Sequence, residues 1–262
     1  MSSKILEQYA DPKNFMARVE LNRRFATNPY RWNLWIFDQI QFPKESKILE
    51  LGCGNALLWR SNLHRIPKDT HILLSDFSEG MLSEARNILN DKTDIFEYEV
   101  IDAQQIPYSD CSFDIVIANY MFYHIPDRKK ALSEISRVLK PGGTFYATTF
   151  GTDNMKELND LISNYDDRIY YPLKPLARVF GLENGEEQLR KYFENIELIK
   201  YNDNLEVTKA EPLINFVLSF TKVKEAITGD KIKDFEEYVT DILKHEGKIN
   251  ITKKSGMFIA KK

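Results

Sequence analysis

From Lys47 to Phe150 short apolar runs alternate with amphipathic stretches, and this alternation limits the possible folds more than any other feature of the chain. KILEL, HILLSD, IFEYEV, FDIVIA and TFYATTF have the length and the β-branched or aromatic content of strands. Between them, SEGMLSEARNIL brings Met81, Leu82, Ala85, Ile88 and Leu89 to one helical face. DRKKALSEISRVLK does the same with Leu132, Ile135, Val138 and Leu139, and is expected to stop at Pro141-Gly142-Gly143, where proline cannot continue a helix and glycine accepts the left-handed exit. Short strands joined by such helices predict an α/β fold: a doubly wound, mostly parallel sheet covered on both faces.

The flanks read differently. NFMARVELNRRFA and YRWNLWIFDQI are helical on either side of the turn TNP, and Pro43 closes the second. After Phe150, MKELNDLISNY, GEEQLRKYFE, AEPLINFVLSF and DKIKDFEEYVTDILKH read as helices, PLKPLARVFGL is ambiguous, NIELIKYNDNLEV reads as strand, and KINITKKSGMFIAKK as a strand pair. This divides the chain into an N-terminal helical cap, 1–45, and a main domain, 46–262, with lid-like segments near 155–180 and 209–246. Closing a sheet does not require so long a helical excursion, so the excursion is expected to roof a site.

Composition excludes several classes. The 262 residues suit one elaborated domain, and 36 basic against 39 acidic residues, interspersed, give a net charge of −3. No basic stripe marks a nucleic acid or an anionic membrane as partner. The two cysteines, Cys53 and Cys111, make no disulfide framework and suit a reducing cytoplasm. The opening MSSKILEQYADPKN has no apolar core of signal-peptide length, and IVIANYMFY is too short to span a bilayer. His64, His71 and His245 stand at no metal-ligand spacing from the cysteines, so no metal is expected. No oligomeric interface is read from the pattern.

The first strand runs straight into Gly52-Cys53-Gly54. In a doubly wound sheet ligands lie beyond the carboxyl ends of the strands, where glycine admits a close backbone approach and a following helix offers free N–H groups. The dinucleotide fingerprint requires a small residue where Leu57 stands, whereas this chain has its small residue one place early, at Ala56. Asp76 ends the second strand, suited to accept from both ribose hydroxyls, although an acid just ahead of Ser78 also suits a helix start. Asp102 follows the third strand, where its oxygens can meet an adenine amino group beside the Ala103 backbone. FDIVIA delivers Asn119, Tyr120, Tyr123 and His124 to the same edge. Together these suit a nucleoside without a pyrophosphate grip.

From Lys47 to Gly151 the sequence resembles the class I S-adenosylmethionine-dependent methyltransferases of small-molecule type. ILELGCGNA is similar to the family's first motif, SDFSEGML to the end of its second strand, and DAQQIPYSDCSFDIVIANYMFYHIPD and ALSEISRVLKPGGTFYATT to later ones. The resemblance implies a Rossmann-like domain binding S-adenosyl-L-methionine. It implies that Glu50, Gly52 and Gly54 shape the pocket for the methionine end, Asp76 takes the ribose, Phe77 and Met81 face adenine, Asp102 and Ala103 lie at its edge, and Asn119 lies beside the methionine. Ala56 departs from the family, which often has a third glycine there.

Methyl transfer from a sulfonium is an in-line displacement, and a base is needed only if the acceptor must lose a proton. His124, titrating near 6.5 if unperturbed, and Tyr123 are the catalytic candidates; each also has a structural reading, as a helix brace and as core. Trp35 and Phe37 read as core, and Arg23 or Arg24 as possible partners of the cofactor carboxylate. The expected acceptor is a small molecule under the C-terminal roof. The competing readings are a non-catalytic S-adenosylmethionine-binding module and a nicotinamide-dependent oxidoreductase, which Leu57 and the lack of a second nucleotide-binding half disfavour.

Overall fold

A computed structural model describes residues 12–89, 94–169 and 171–262; the readings made of residues 1–11 lie outside the described residues. Seven strands form the main sheet. β1 (Lys47–Leu51), β2 (His71–Asp76), β3 (Phe96–Val100), β4 (Phe113–Asn119) and β5 (Leu139–Phe150) are parallel. β9 (Ser255–Lys261) enters antiparallel between β5 and β6 (Asn195–Tyr201), giving the order β3-β2-β1-β4-β5-β9-β6. The order reverses between β1 and β4, so the ends of those strands open a crevice there.

Helices cover both faces, as buried strands require. α2 (Trp32–Gln39), α3 (Leu57–Arg60) and α4 (Glu79–Leu89) pack on one face. There the Met81, Leu82, Ala85 and Leu89 side chains of α4 are buried, and Ile36, Phe37 and Trp59 fill the layer. α5 (Arg128–Val138) buries Ala131, Leu132, Ile135 and Val138 on the other face, beside α8 (Gly185–Leu189). α5 ends at Val138, ahead of the expected stop at Pro141. Leu139 is taken into β5 opposite Phe113, and the register then shifts before Ile115 meets Thr144. Lys140 Nζ donates to both Asp114 oxygens at 2.8 Å beside that irregularity.

A third core lies above the strand ends. α6 (Lys156–Tyr165), α7 (Leu173–Val179), α9 (Ala210–Leu218), α10 (Thr221–Ala226) and α11 (Asp230–Glu246) enclose it with a small antiparallel sheet of β7 (Asn204–Val207) and β8 (Ile249–Thr252). The segment NIELIKYNDNLEV therefore divides between two sheets as β6 and β7, and KINITKKSGMFIAKK divides likewise as β8 and β9. PLKPLARVFGL resolves as α7. α1 (Pro12–Phe25) belongs to this core: Leu21 and Phe25 are buried in it and α1 packs along α9. Burial of two such side chains contributes roughly 1.5–3 kcal/mol each toward holding α1 there. Thr27 N–H donates to Asn204 O at 2.9 Å and pins the end of α1 to β7. α1 thus shares its core with the roof, whereas α2 shares its core with the sheet. Among the described residues no helix is long and apolar enough to cross a membrane.

Candidate active site

A cavity of about 650 Å³ lies beyond the carboxyl ends of β1, β2 and β4 and beneath the roof. All of the cofactor and catalytic candidates named from the sequence line it: the loop and strand-end residues on one side, Tyr123 and His124 on the other.

The loop after β1 is left-handed at three positions, Gly52 (φ +67), Gly54 (φ +55) and Ala56 (φ +58). At Gly52 a Cβ would sit 3.0 Å from Met121 Cβ as well as straining the backbone, so the position needs glycine on two grounds. Ala56 takes the same conformation despite its methyl group, at a cost of roughly 1–2 kcal/mol. The helix it opens, α3, is a single turn of four residues. The helix expected to follow the loop is present but short, and the loop's Cys53, Gly54 and Ala56 N–H groups donate to Ser75 O, Asp76 Oδ2 and Cys53 O.

Asp76 locks this loop. Its Oδ2 accepts from Gly54 N–H at 3.0 Å and its Oδ1 from Ser78 N–H at 2.9 Å, and Ser78 Oγ in turn accepts from Met81 N–H at 3.4 Å at the start of α4. The ligand reading and the helix-start reading of Asp76 therefore describe one arrangement. Each oxygen keeps lone-pair capacity for a further donor. Burial raises the Asp76 carboxyl above its ordinary range, opposed by the backbone donors of Ser78, Gly54 and Phe77.

Glu50 lies deeper, with 2% of its surface exposed. Trp59 Nε1 donates to one oxygen at 2.6 Å and Asn119 Nδ2 to the other at 2.9 Å. Burial pushes its pKa up to about 7 against those two donors, and the Asp76 charge adds to the rise. Thr148 Oγ1 holds Asn119 Oδ1 at 3.3 Å, which orients the amide. Asp102 sits past the end of β3, where its carboxylate accepts from Gln104 N–H at 2.9 Å and Gln104 Nε2 at 3.0 Å. Ala103 beside it is buried, and Phe77 and Met81 complete this apolar end of the cavity.

Tyr123 and His124 occupy a single 3-10 turn after β4, with ring centroids 4.6 Å apart; Tyr123 also packs on Phe150 at 4.9 Å. The titration near 6.5 expected of His124 is corrected here. Burial, aided by the positive charge of Arg18, lowers it to about 4, so the imidazole is neutral at pH 7 and a weak base. Trp32 lines the cavity, stacked on Tyr120 at 5.2 Å, while Phe37 is core. Arg23 reaches the cavity rim but is held by Glu20 at 2.8 Å; Arg24 is not part of the lining.

Among the lining residues that escape sequence reasoning are the polar Arg18, Asn22 and Lys253. The spacing of Arg18 and Asn22 puts them on one face of α1, a signal for a polar stripe but not for which way it turns. Lys253 stands in a two-residue connection between β8 and β9 with no pattern to mark it.

Residues 49–147 match the family described as "Methyltransferase domain". The ubiquinone/menaquinone biosynthesis C-methyltransferase UbiE of Idiomarina loihiensis is 27% identical over 140 residues, which are 53% of this chain and 56% of that protein. The chain thus spans little more than half the length of that relative. Among solved structures, phosphoethanolamine N-methyltransferase 2 of Haemonchus contortus in complex with S-adenosyl-L-methionine aligns with a TM-score of 0.61 at 21% identity, over 100% of this chain and 60% of its own. YcgJ of Bacillus subtilis aligns with a TM-score of 0.57 at 20% identity, over 87% of this chain and 96% of its own. At these identities the solved structures speak for the fold.

Proposed function

Residues 49–147 of this chain belong to the class I S-adenosylmethionine-dependent methyltransferases, and on that premise we propose that the protein moves a methyl group from S-adenosyl-L-methionine to a small-molecule acceptor held under the roof. The observation that carries the reading is Asp76, fixed by two backbone N–H groups at the mouth of β2 with acceptor capacity to spare for a ribose diol. The rest of the lining fits the same cofactor. A bare Gly52 leaves a cradle that a Cβ would fill, Met81 and Phe77 offer an apolar seat for a base, and Glu50 brings a buried acid to the end where an ammonium would lie.

When bound, the sulfonium supplies an already activated methyl group. The chain's part is then alignment and exclusion of water. Glu50 and Asn119 would hold the methionine end, the Glu50 carboxylate gaining a countercharge there. The roof would shut out solvent, with Phe150 and Tyr123 as the wall nearest the acceptor. His124, neutral at pH 7, would orient the acceptor through a hydrogen bond, and Tyr123 would hold the imidazole edge-on.

Calorimetry with S-adenosylhomocysteine tests the cofactor half. Asp76→Ala should weaken binding by about 2 kcal/mol or more, because two hydroxyls lose a charged acceptor and the loop loses its anchor. Unchanged affinity would remove Asp76 from the site. Incubation with methyl-labelled cofactor and a small-molecule extract tests the transfer. Tight cofactor binding without transferred label would favour a non-catalytic module, and tighter binding of NAD an oxidoreductase.

A further inference from the structure

Across the cavity from the glycine loop, Arg18, Asn22 and Lys253 form one polar group. Lys253 Nζ donates to Asn22 Oδ1 at 2.8 Å, and Asn22 is set for this by giving its Nδ2 to Arg18 O at 2.8 Å. An ammonium carries three donors, and the amide uses one of them. Among the described residues no carboxylate lies within 4.0 Å of Lys253 Nζ. The acid whose field reaches it is Asp203, whose Oδ1 is occupied by Thr27 N–H at 3.1 Å and Asn28 N–H at 2.9 Å. The same cavity is lined on its roof side by the apolar Phe150, Leu173, Leu176, Phe216 and Phe220. Burial lowers the Lys253 pKa to about 8, with Asp203 opposing the fall, so the group remains mostly charged at pH 7. A cation with unused donors in such an enclosure is costly unless a partner arrives.

We propose that Lys253 is the anchor of the methyl acceptor, and that the acceptor is an apolar molecule carrying a single carboxylate. The assignment rests on the methyltransferase reading above. A carboxylate offers two oxygens to the spare Lys253 donors and balances one positive charge. The Arg18 guanidinium is given to Ser219 Oγ at 2.9 Å and Ser219 O at 3.0 Å, which leaves Lys253 as the cation with spare donors in this group, and Asp203 beside it opposes a second negative charge. The apolar body would then lie on Phe216, Phe220 and Leu176, and its far end would reach toward Tyr123 and the strand mouths.

The test uses the full chain saturated with S-adenosylhomocysteine. It is titrated by calorimetry with octanoate, phenylacetate and indole-3-acetate, and with 1-octanol, phenylacetamide and indole-3-acetamide as neutral counterparts. At least one carboxylate should bind about tenfold or more tighter than its counterpart. Lys253→Met should bring the pair within about threefold, and Lys253→Arg should keep most of the preference; both variants should bind S-adenosylhomocysteine as the parent does. No preference in any pair, or a tenfold preference surviving in Lys253→Met, overturns the assignment. Binding of S-adenosylhomocysteine without a carboxylate preference counts against Lys253 alone. Failure to bind S-adenosylhomocysteine counts against the methyltransferase reading and takes the acceptor assignment with it.

Discussion

Asn119 Nδ2 donates to Glu50 Oε1 at 2.9 Å and joins the ends of β4 and β1 directly beneath the glycine loop. With Trp59 on the other oxygen, the Glu50 carboxylate has one donor per oxygen and, among the described residues, no cationic partner. Such an acid is costly to keep ionised inside a protein, and its retention makes sense if a positively charged ligand group completes it.

The pH dependence of stability should show this cost. The folded-state pKa of Glu50 is raised from 4.5 to about 7, so the folded protein holds this proton more tightly than the unfolded chain does. The corresponding stabilisation is present in full below the unfolded value and is lost as pH rises through about 7, an effect of up to about 3 kcal/mol. Glu50→Gln cannot ionise. Without ligand it should melt above the parent at pH 8 and lose that advantage near pH 5, while binding S-adenosylmethionine more weakly. Thermal melts showing the variant below the parent at pH 8 would contradict this account.

Gly52 should tolerate no side chain. Gly52→Ala combines a left-handed backbone with a 3.0 Å approach to Met121 Cβ, and should cost roughly 1–2 kcal/mol of stability together with a larger loss of cofactor affinity. Denaturant melts and calorimetry separate the two effects. Met121→Ala in the Gly52→Ala background keeps the Cβ contact and removes the equally close one to Met121 Cγ at 3.0 Å, so it should recover part of the stability but not the affinity.

His124 tests alignment against proton transfer. A group titrating near 4 contributes little base strength at neutral pH, where an efficient general base would have a pKa near the operating value. Turnover of His124→Asn at saturating substrate should stay within about threefold of the parent at pH 7.5, with a raised acceptor KM. A loss of kcat of about 10²-fold with intact folding would make His124 the base. The stability effect has a definite sign. The histidine's pKa is depressed, so its stabilisation is present above 6.5 and is lost as pH falls through about 4. His124→Asn should therefore flatten the acid limb of the melting profile.

The roof should respond to ligand as a unit. α1 and α9 pack together above the cavity, and Arg18 Nε donates to Ser219 Oγ at 2.9 Å where α9 ends. Hydrogen exchange should slow in both helices when S-adenosylhomocysteine and acceptor are bound, and less with the cofactor alone. Identical exchange in all states would show that the roof does not close over the ligands.

The half of the molecule that holds the strand mouths was legible in the sequence because its signals are local. Period-two apolar runs, the helical faces of α4 and α5, and two glycines after the first strand are set by backbone geometry within a few residues. Once the strands are parallel and doubly wound, Gly52, Asp76, Asp102 and Asn119 must share one edge, so their meeting follows from topology alone. Contacts between distant residues decided the rest. Leu139 reads as the end of a helix and lies in β5 because Phe113 pairs with it. β7 and β8 leave the main sheet because they pair with each other beneath the roof. Lys253 meets Asn22 across the whole length of the chain, and no pattern around either residue anticipates the other. The sequence named His124, but its base strength depends on burial and on Arg18 from α1, and these exist only once the roof has docked. Propensity and periodicity act over a few residues, whereas burial and charge in a cavity belong to every element that encloses it.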